Sequence, residues 1–367
     1  MRVCDAFCGV GGVSAGVLQV EGVEMICGID CDDKMLRSWA ANTQKRAVCA
    51  TIGKDTISWP EAADDLFVHL SPPCTALSKA RAGSASEKEV AGGVRMMQWS
   101  LELVIQKRYT NFSLENVSTT TTRAIAQKYK DEHPSVFDFG IFDCADFSVP
   151  QSRMRLIVSS PQTIKVLRES PVSRVTVAEA FAKAALPLPA THLKSNTNNR
   201  DGTACTRSIH QQSFVTTASH PLTWSDHAGQ SIRCVTVAET AVLMGFPSSW
   251  KLPTGSRLGI HALGNAVPPP FAKAIMRCAI EAPRDCALPA LPHCTRQARR
   301  RAPHRPRCPA AVDLLASENA PYRIVSTAHC GGAWRCWRLS VPSTMPLSEE
   351  SPHLQARGRC VGTVRAR

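Results

Sequence analysis

The sequence predicts an α/β protein built on a mostly parallel sheet. Three observations predict it. Short apolar runs alternate with amphipathic stretches through the first half of the chain, the pattern of successive βα units. A glycine loop, Gly9–Gly12, follows the first apolar run and opens a helix. Asp30, Cys74 and Glu115 then stand at the ends of later apolar runs, where open parallel sheets bind their ligands.

Taken in order, Arg2–Phe7 reads as the first strand, followed by a helix through Leu18. Glu24–Ile29 is a second strand and Lys34–Asn42 a helix. The continuous apolar run Leu66–Leu70 is a buried strand, and Met96–Lys107 is helical. Thr110–Leu114 is a strand running into Glu115-Asn116, with a helix over Ala124–Lys130. Phe137–Cys144 and Arg155–Ser159 are two further strands, split by a turn at Pro150. The rhythm then fades. Val175–Ala184 keeps a short helical pattern, but Ser195–Arg207 is rich in Asn, Thr and Ser, as in an exposed loop or a small recognition lobe. Order is expected again at Ser213–Thr217, in a helix over Thr236–Met244 closed by Gly245, and in a last helix over Phe271–Ile280.

The formal charge of +13 is unevenly spread. From Glu281 to the end there are 14 arginines, no lysine and six acids, a net of +8, which leaves +5 for the first 280 residues. A mildly basic body with a strongly basic end suits a polyanionic partner, nucleic acid first. The Arg/Pro/Cys-rich residues from 285 on carry no sustained period and are expected to be disordered. Their Arg296–Arg307 cluster has the composition of a nuclear address, an accessory-protein contact or a DNA clamp. Sixteen cysteines in a chain of 367 residues show no C-x-x-C pairing, so no metal is expected, and mostly free thiols point to an intracellular, reducing compartment. No run approaches the roughly 20 apolar residues of a membrane span, so no membrane partner is expected.

Gly9, Gly11 and Gly12 let a backbone approach a ligand closely, although Ser14 holds the place of the third glycine of G-x-G-x-x-G. Asp30, 19 residues beyond Gly11, is placed to hydrogen-bond the ribose hydroxyls of an adenosine-type cofactor, or to cap the next helix. No Walker lysine follows the glycines, which excludes a P-loop. Ser71-Pro72-Pro73-Cys74 sets a thiol on a proline-stiffened loop at a strand end, where a nucleophile is expected.

These segments, in this order, resemble the DNA (cytosine-5) methyltransferase family. Asp5–Gly16 resembles its first motif, which holds S-adenosylmethionine through Phe7 and the glycines. Ser71–Ser78 resembles the Pro-Cys loop, Leu114-Glu115-Asn116-Val117 the Glu-Asn-Val motif, and Gln151-Ser152-Arg153-Met154-Arg155 the Gln-x-Arg-x-Arg motif. Arg233–Pro247 and Gly264-Asn265-Ala266-Val267-Pro268-Pro269 resemble the ninth and tenth motifs. The resemblance covers roughly residues 1–280 and implies a Rossmann-like S-adenosylmethionine-dependent methyltransferase fold with a small recognition lobe. It divides the chain into a catalytic and cofactor domain (1–160), a target-recognition region (161–232), a returning catalytic segment (233–284) and the tail (285–367).

It further implies that Cys74 attacks carbon-6 of a cytosine flipped out of double-stranded DNA, which makes carbon-5 nucleophilic. Glu115 would donate a proton to ring nitrogen-3, which a closed, dry pocket favours. Arg155, with Arg153 behind it, would bind the exocyclic oxygen or a phosphate and help hold Cys74 as thiolate. Asp30, Asp55, Pro73, Asn265 and Val267 would complete the cofactor pocket. Thr75 departs from the glutamine that usually follows the nucleophile, whereas Ser78 keeps a downstream serine suited to phosphate. About two dozen residues, roughly 188–212, remain for target recognition, which suits a short target, a helper protein or weak specificity. A tRNA-methylating branch shares this fold and commonly carries a Cys-Phe-Thr tripeptide, absent here. A silent regulator is the other alternative, and it gives no chemical reason to keep all four catalytic candidates. In a eukaryotic host the expected compartment is the nucleus.

Overall fold

Leu66–Leu70 (β4), with no exposed residue, is the middle strand of the main sheet. The computed structural model describes residues 1–78, 85–199 and 201–283, which lie in one compact unit; the expectations for the tail fall outside these residues. Among the described residues, seven strands form the main sheet in the order β3-β2-β1-β4-β5-β7-β6. Arg2–Ala6 (β1), Glu24–Asp30 (β2), Arg46–Cys49 (β3), β4 and Phe112–Val117 (β5) run parallel. Met154–Ser159 (β7) enters antiparallel between β5 and Asp138–Asp143 (β6). The order reverses between β1 and β4, the place where open α/β sheets bind ligands beyond their carboxyl ends.

One face of the sheet packs on Gly12–Val17 (α1) and Pro269–Glu281 (α9), around Trp39, Phe67 and Phe271. The other packs on Glu87–Lys107 (α3) and Thr120–Glu132 (α4), around Met97, Phe112 and Phe137. Helix α3 starts nine residues before the expected Met96, because Ser86 and Glu89 form a reciprocal capping box. Gly92-Gly93 masked that start in the sequence. Gly93 packs closely, since a Cβ there would lie 3.0 Å from the Leu77 side chain. Between β1 and β2 the register skips Ile26, and this bulge brings the Cys27 thiol to 3.0 Å from that of Cys4.

The polar run Ser195–Arg207 is not a loop throughout. His192–Asn198 (β8) and Ala204–Ser208 (β9) pair, and Thr223–Ser225 (β10) with Ser231–Cys234 (β11) complete an antiparallel sheet, β11-β10-β8-β9. Leu193 and Trp224 anchor it against Val177 and Phe181, while its other face stays polar, so strand alternation is faint in the sequence. Ser213–Thr217 forms no strand beyond a single bridge from Ser213 to Gln151. Glu239, on Val237–Met244 (α7), joins this lobe to the main body. Its carboxylate accepts from Trp224 Nε1 at 3.1 Å and from both Arg233 Nη atoms, at 2.9 and 2.6 Å. Burial opposes that charge, yet these donors and the Thr236 N–H hold the carboxyl down at about 2. No helix among the described residues is long and apolar enough to cross a membrane.

Candidate active site

The glycine loop is shaped by three left-handed residues, Phe7 (φ 60°), Gly9 (φ 51°) and Gly11 (φ 90°). Asp30, at the end of β2, braces it: Oδ2 accepts from Gly9 N–H at 2.8 Å and Oδ1 from Asp32 N–H at 2.9 Å. The helix cap role falls to Asp32, whose side chain accepts from Lys34 and Met35. A Cβ on Gly9 would meet nothing within 4 Å, so the loop opens onto free space there. Gly11 lies instead beneath Trp250, whose Nε1 donates to Val10 O at 3.0 Å. Under the loop, Asp5 accepts from Ser14 Oγ at 2.7 Å, and Ser14 Oγ accepts from Trp39 Nε1 at 2.7 Å. Complete burial lifts the Asp5 carboxyl to about 7, against the pull of the Ser14 hydrogen bond.

The far end of the chain returns here. A Cβ on Gly12 would lie 2.1 Å from the Val267 carbonyl oxygen, so α1 and the 266–269 segment touch backbone to backbone. Val267 is buried, whereas Asn265 is exposed, with Nδ2 3.1 Å from His261 Nε2. Pro73 is exposed as well. Asp55 is exposed and caps its own turn, accepting from Thr51 N–H at 2.6 Å.

Cys74 follows β4 on the neighbouring loop. Ser71 Oγ donates to Phe7 O at 3.2 Å, and Asn116 Nδ2 donates to Pro72 O at 3.2 Å. The nucleophile candidate is thus tied to the glycine loop on one side and to β5 on the other. Glu115 and Arg155 share one face of the β5–β7 pair, where Glu115 Oε1 lies 2.7 Å from Arg155 Nε. Both are about one-tenth exposed. Burial raises the Cys74 thiol above its ordinary value, and Glu115 adds to the rise, while Arg155 and Arg153 oppose it. Burial and Glu115 thus oppose the thiolate that Arg155 and Arg153 favour.

Arg153, expected behind Arg155, is held by backbone carbonyls. Its Nη1 donates to Thr216 O at 3.0 Å, and its Nη2 to Gly264 O at 2.9 Å and Ala266 O at 3.3 Å. Burial lowers it to about 10, with Arg155 adding to the fall. Nε alone lacks a partner. Gln151 braces the same stretch through Nε2 to Thr216 Oγ1 at 2.8 Å. Asn116, Thr216 and Gly264 are site-builders that side-chain chemistry did not single out, because Thr216 and Gly264 act through backbone carbonyls.

Cys74 opens into a cleft of about 1640 Å³ between the main body and the small sheet. Lys34, Arg153, Arg155, Arg207 and Arg257 line it, and among the described residues no Asp or Glu does. Thr75 and Ser78 lie on its wall, with Ser78 Oγ donating to Thr75 O at 3.0 Å.

The family model for C-5 cytosine-specific DNA methylases matches residues 1–185 and 168–281. The type II methyltransferase M.NlaX of Neisseria lactamica is 22% identical over 318 residues, 77% of this chain and 98% of that protein. Among solved structures, a protein described as a DNA modification methyltransferase encoded within an E. coli prophage superposes with a TM-score of 0.53 at 16% identity. The match covers 77% of this chain and 99% of that one. The Entamoeba histolytica methyltransferase EhMeth gives 0.51 at 13% identity, covering 77% and 98%. Sheet order and fold likeness define an S-adenosylmethionine-dependent methyltransferase fold. More particularly, the chain belongs to the C-5 cytosine-specific DNA methylase family, and its reaction is methylation of cytosine carbon-5 in DNA.

Proposed function

We propose that Cys74 is the nucleophile of this reaction, with Glu115 and Arg155 as its coupled acid and counter-charge. The observation that carries this reading is the common charge environment of Cys74, Glu115, Arg153 and Arg155 beside a basic cleft that no Asp or Glu lines among the described residues. A flipped cytosine that takes a hydrogen bond from protonated Glu115 neutralises the one group nearby that disfavours the thiolate. The two arginines then act on the sulfur against burial alone, and its proton is released as Glu115 gains one, so the net charge of the cluster is unchanged. The thiolate adds to carbon-6, and electron density moves to carbon-5. After methylation, loss of the carbon-5 proton to solvent expels the Cys74 thiolate and restores the ring.

The family's methyl donor is S-adenosylmethionine, which supplies an electrophilic methyl group when bound. The residues fit such a group: the open cradle at Gly9, the left-handed glycine loop and the strand-end carboxylate of Asp30 suit an adenosine moiety. Phe7, Gly9, Gly11, Gly12 and Asp30 would hold it from one side and Pro73, Asn265 and Val267 from the other, with Asp55 at the adenine end. The basic cleft takes the duplex, with Lys34, Arg207 and Arg257 against phosphates or bases.

The test is methyl transfer from labelled S-adenosylmethionine by the full chain and a Cys74→Ala variant, offered duplex DNA or tRNA. Label in DNA with wild type only is expected. A fluorocytosine duplex should trap a covalent complex through Cys74. Label in tRNA alone, or no adduct on an active enzyme, overturns the proposal.

A further inference from the structure

Arg207 stands on β9, opposite Leu193, and lines the cleft that Cys74 opens into. Its guanidinium carbon lies 4.4 Å from the centre of the Phe214 ring, which also lines the cleft. Its Nη1 donates to the carbonyls of Gln212 at 3.3 Å and Ser213 at 3.1 Å. The Phe214 ring on one side and two bonds from one nitrogen hold the group in place. Its Nε and Nη2 make no hydrogen bond among the described residues, and no carboxylate pairs with it there. Those two nitrogens form the edge of a guanidinium that presents parallel donors.

Three side-chain amides of the same lobe are engaged within it. Asn196 Nδ2 donates to Pro221 O at 3.1 Å, Asn199 Nδ2 to Thr203 Oγ1 at 3.0 Å, and Gln212 Nε2 to Val175 O at 3.3 Å. Lys34 and Arg257 supply other cations to the cleft, on the main body rather than on this lobe. The coplanar O6 and N7 of guanine match two parallel donors held in this way, and the same fork would also fit two oxygens of a phosphate, so the test separates the two.

We propose that Arg207 is a specificity-determining residue whose Nε and Nη2 edge reads O6 and N7 of a guanine in the target site. The assignment rests on the reading of this cleft as the DNA site. A pool of duplexes with randomised flanks around a cytosine, methylated by the full chain and mapped by bisulfite sequencing, tests it. Wild type should favour guanine at one fixed offset by roughly 5- to 150-fold. Arg207→Lys and Arg207→Gln should lose that preference and keep those at other offsets, with thermal melting as the folding control. Phe214→Leu leaves the fork in place but unstacked, and should weaken the same preference alone. A uniform fall across all flanks, with a shallower salt dependence, would make Arg207 a phosphate or packing residue and overturn the assignment. Absence of any guanine preference in wild type overturns it too, while a pool left unmethylated by wild type overturns the DNA reading of the cleft itself.

Discussion

Glu115 Oε1 and Arg155 Nε lie 2.7 Å apart on adjacent antiparallel strands, and both charges act on Cys74, in opposite directions. Their pairing makes the nucleophile's proton depend on the state of its neighbour. Glu115→Gln should move the pH midpoint of Cys74 alkylation downward, because a like charge is removed, and Arg155→Gln should move it upward. Iodoacetamide labelling at Cys74, followed by peptide mass spectrometry across pH, reads both shifts. Methyl transfer by Glu115→Gln should nonetheless fall by about 10²- to 10⁴-fold, since proton donation to the ring is lost. An alkylation midpoint unmoved by either change would uncouple the three groups.

Arg153 acts as a buried strut. It joins the start of β7 to the 216 loop and to the carbonyls of Gly264 and Ala266, at the edge of the segment touching the glycine loop. Arg153→Met removes three charge-assisted bonds and leaves three carbonyls short of a donor. A loss of about 3–5 kcal/mol in urea unfolding is expected. Arg153→Lys, which reaches fewer carbonyls, should lose less. A change below about 1 kcal/mol for the methionine variant would show that water replaces the strut at little cost.

Much of this arrangement was readable from residues alone, and the boundary is physical. Strand β4 announced itself as an unbroken apolar run, because a central parallel strand is buried on both faces. The Cys74 loop, Glu115 and the glycine loop followed from their places at strand ends. Strands β8 and β9 were obscured, because a sheet wetted on one face can be built from Asn, Thr and Ser. Helix Ser256–Asn265 (α8) was hidden for a related reason: it begins after Gly255 with no side-chain cap to mark it. The bracing role of Arg153 was not legible, because its partners are carbonyls from residues 63 to 113 positions away, which no local pattern records.

Gly12 tests how the two ends of the chain meet. A Cβ there would sit 2.1 Å from Val267 O, and backbone on both sides leaves no flexible tip to yield. Gly12→Ala should push α1 away from the 266–269 segment at a cost of about 1–3 kcal/mol. The glycine loop would open with it, so S-adenosylmethionine affinity measured by calorimetry should fall more than stability alone explains. Gly22→Ala, with open space around its Cβ position, isolates the strain of a left-handed residue and should leave that affinity unchanged.

Asp5 and His69 set opposing pH slopes on stability. Asp5 rises from 3.8 to about 7 on folding because it is buried, so between those values the folded chain holds a proton that the unfolded chain has lost. Stability from this group therefore falls as pH rises. His69, buried in β4 with Nδ1 2.8 Å from Ser113 Oγ, drops from 6.5 to about 3. Between those values the unfolded chain carries the extra proton, so stability rises with pH. Each slope approaches about 1.4 kcal/mol per pH unit, and they largely cancel between pH 4 and 6.5. Asp5→Asn should unmask the His69 slope, giving a protein that gains stability as pH rises through that window. His69→Gln should unmask the reverse. Urea midpoints at pH 4.5, 5.5 and 6.5 for the three proteins check both signs, and parallel profiles would show that neither group titrates between the folded and unfolded chains.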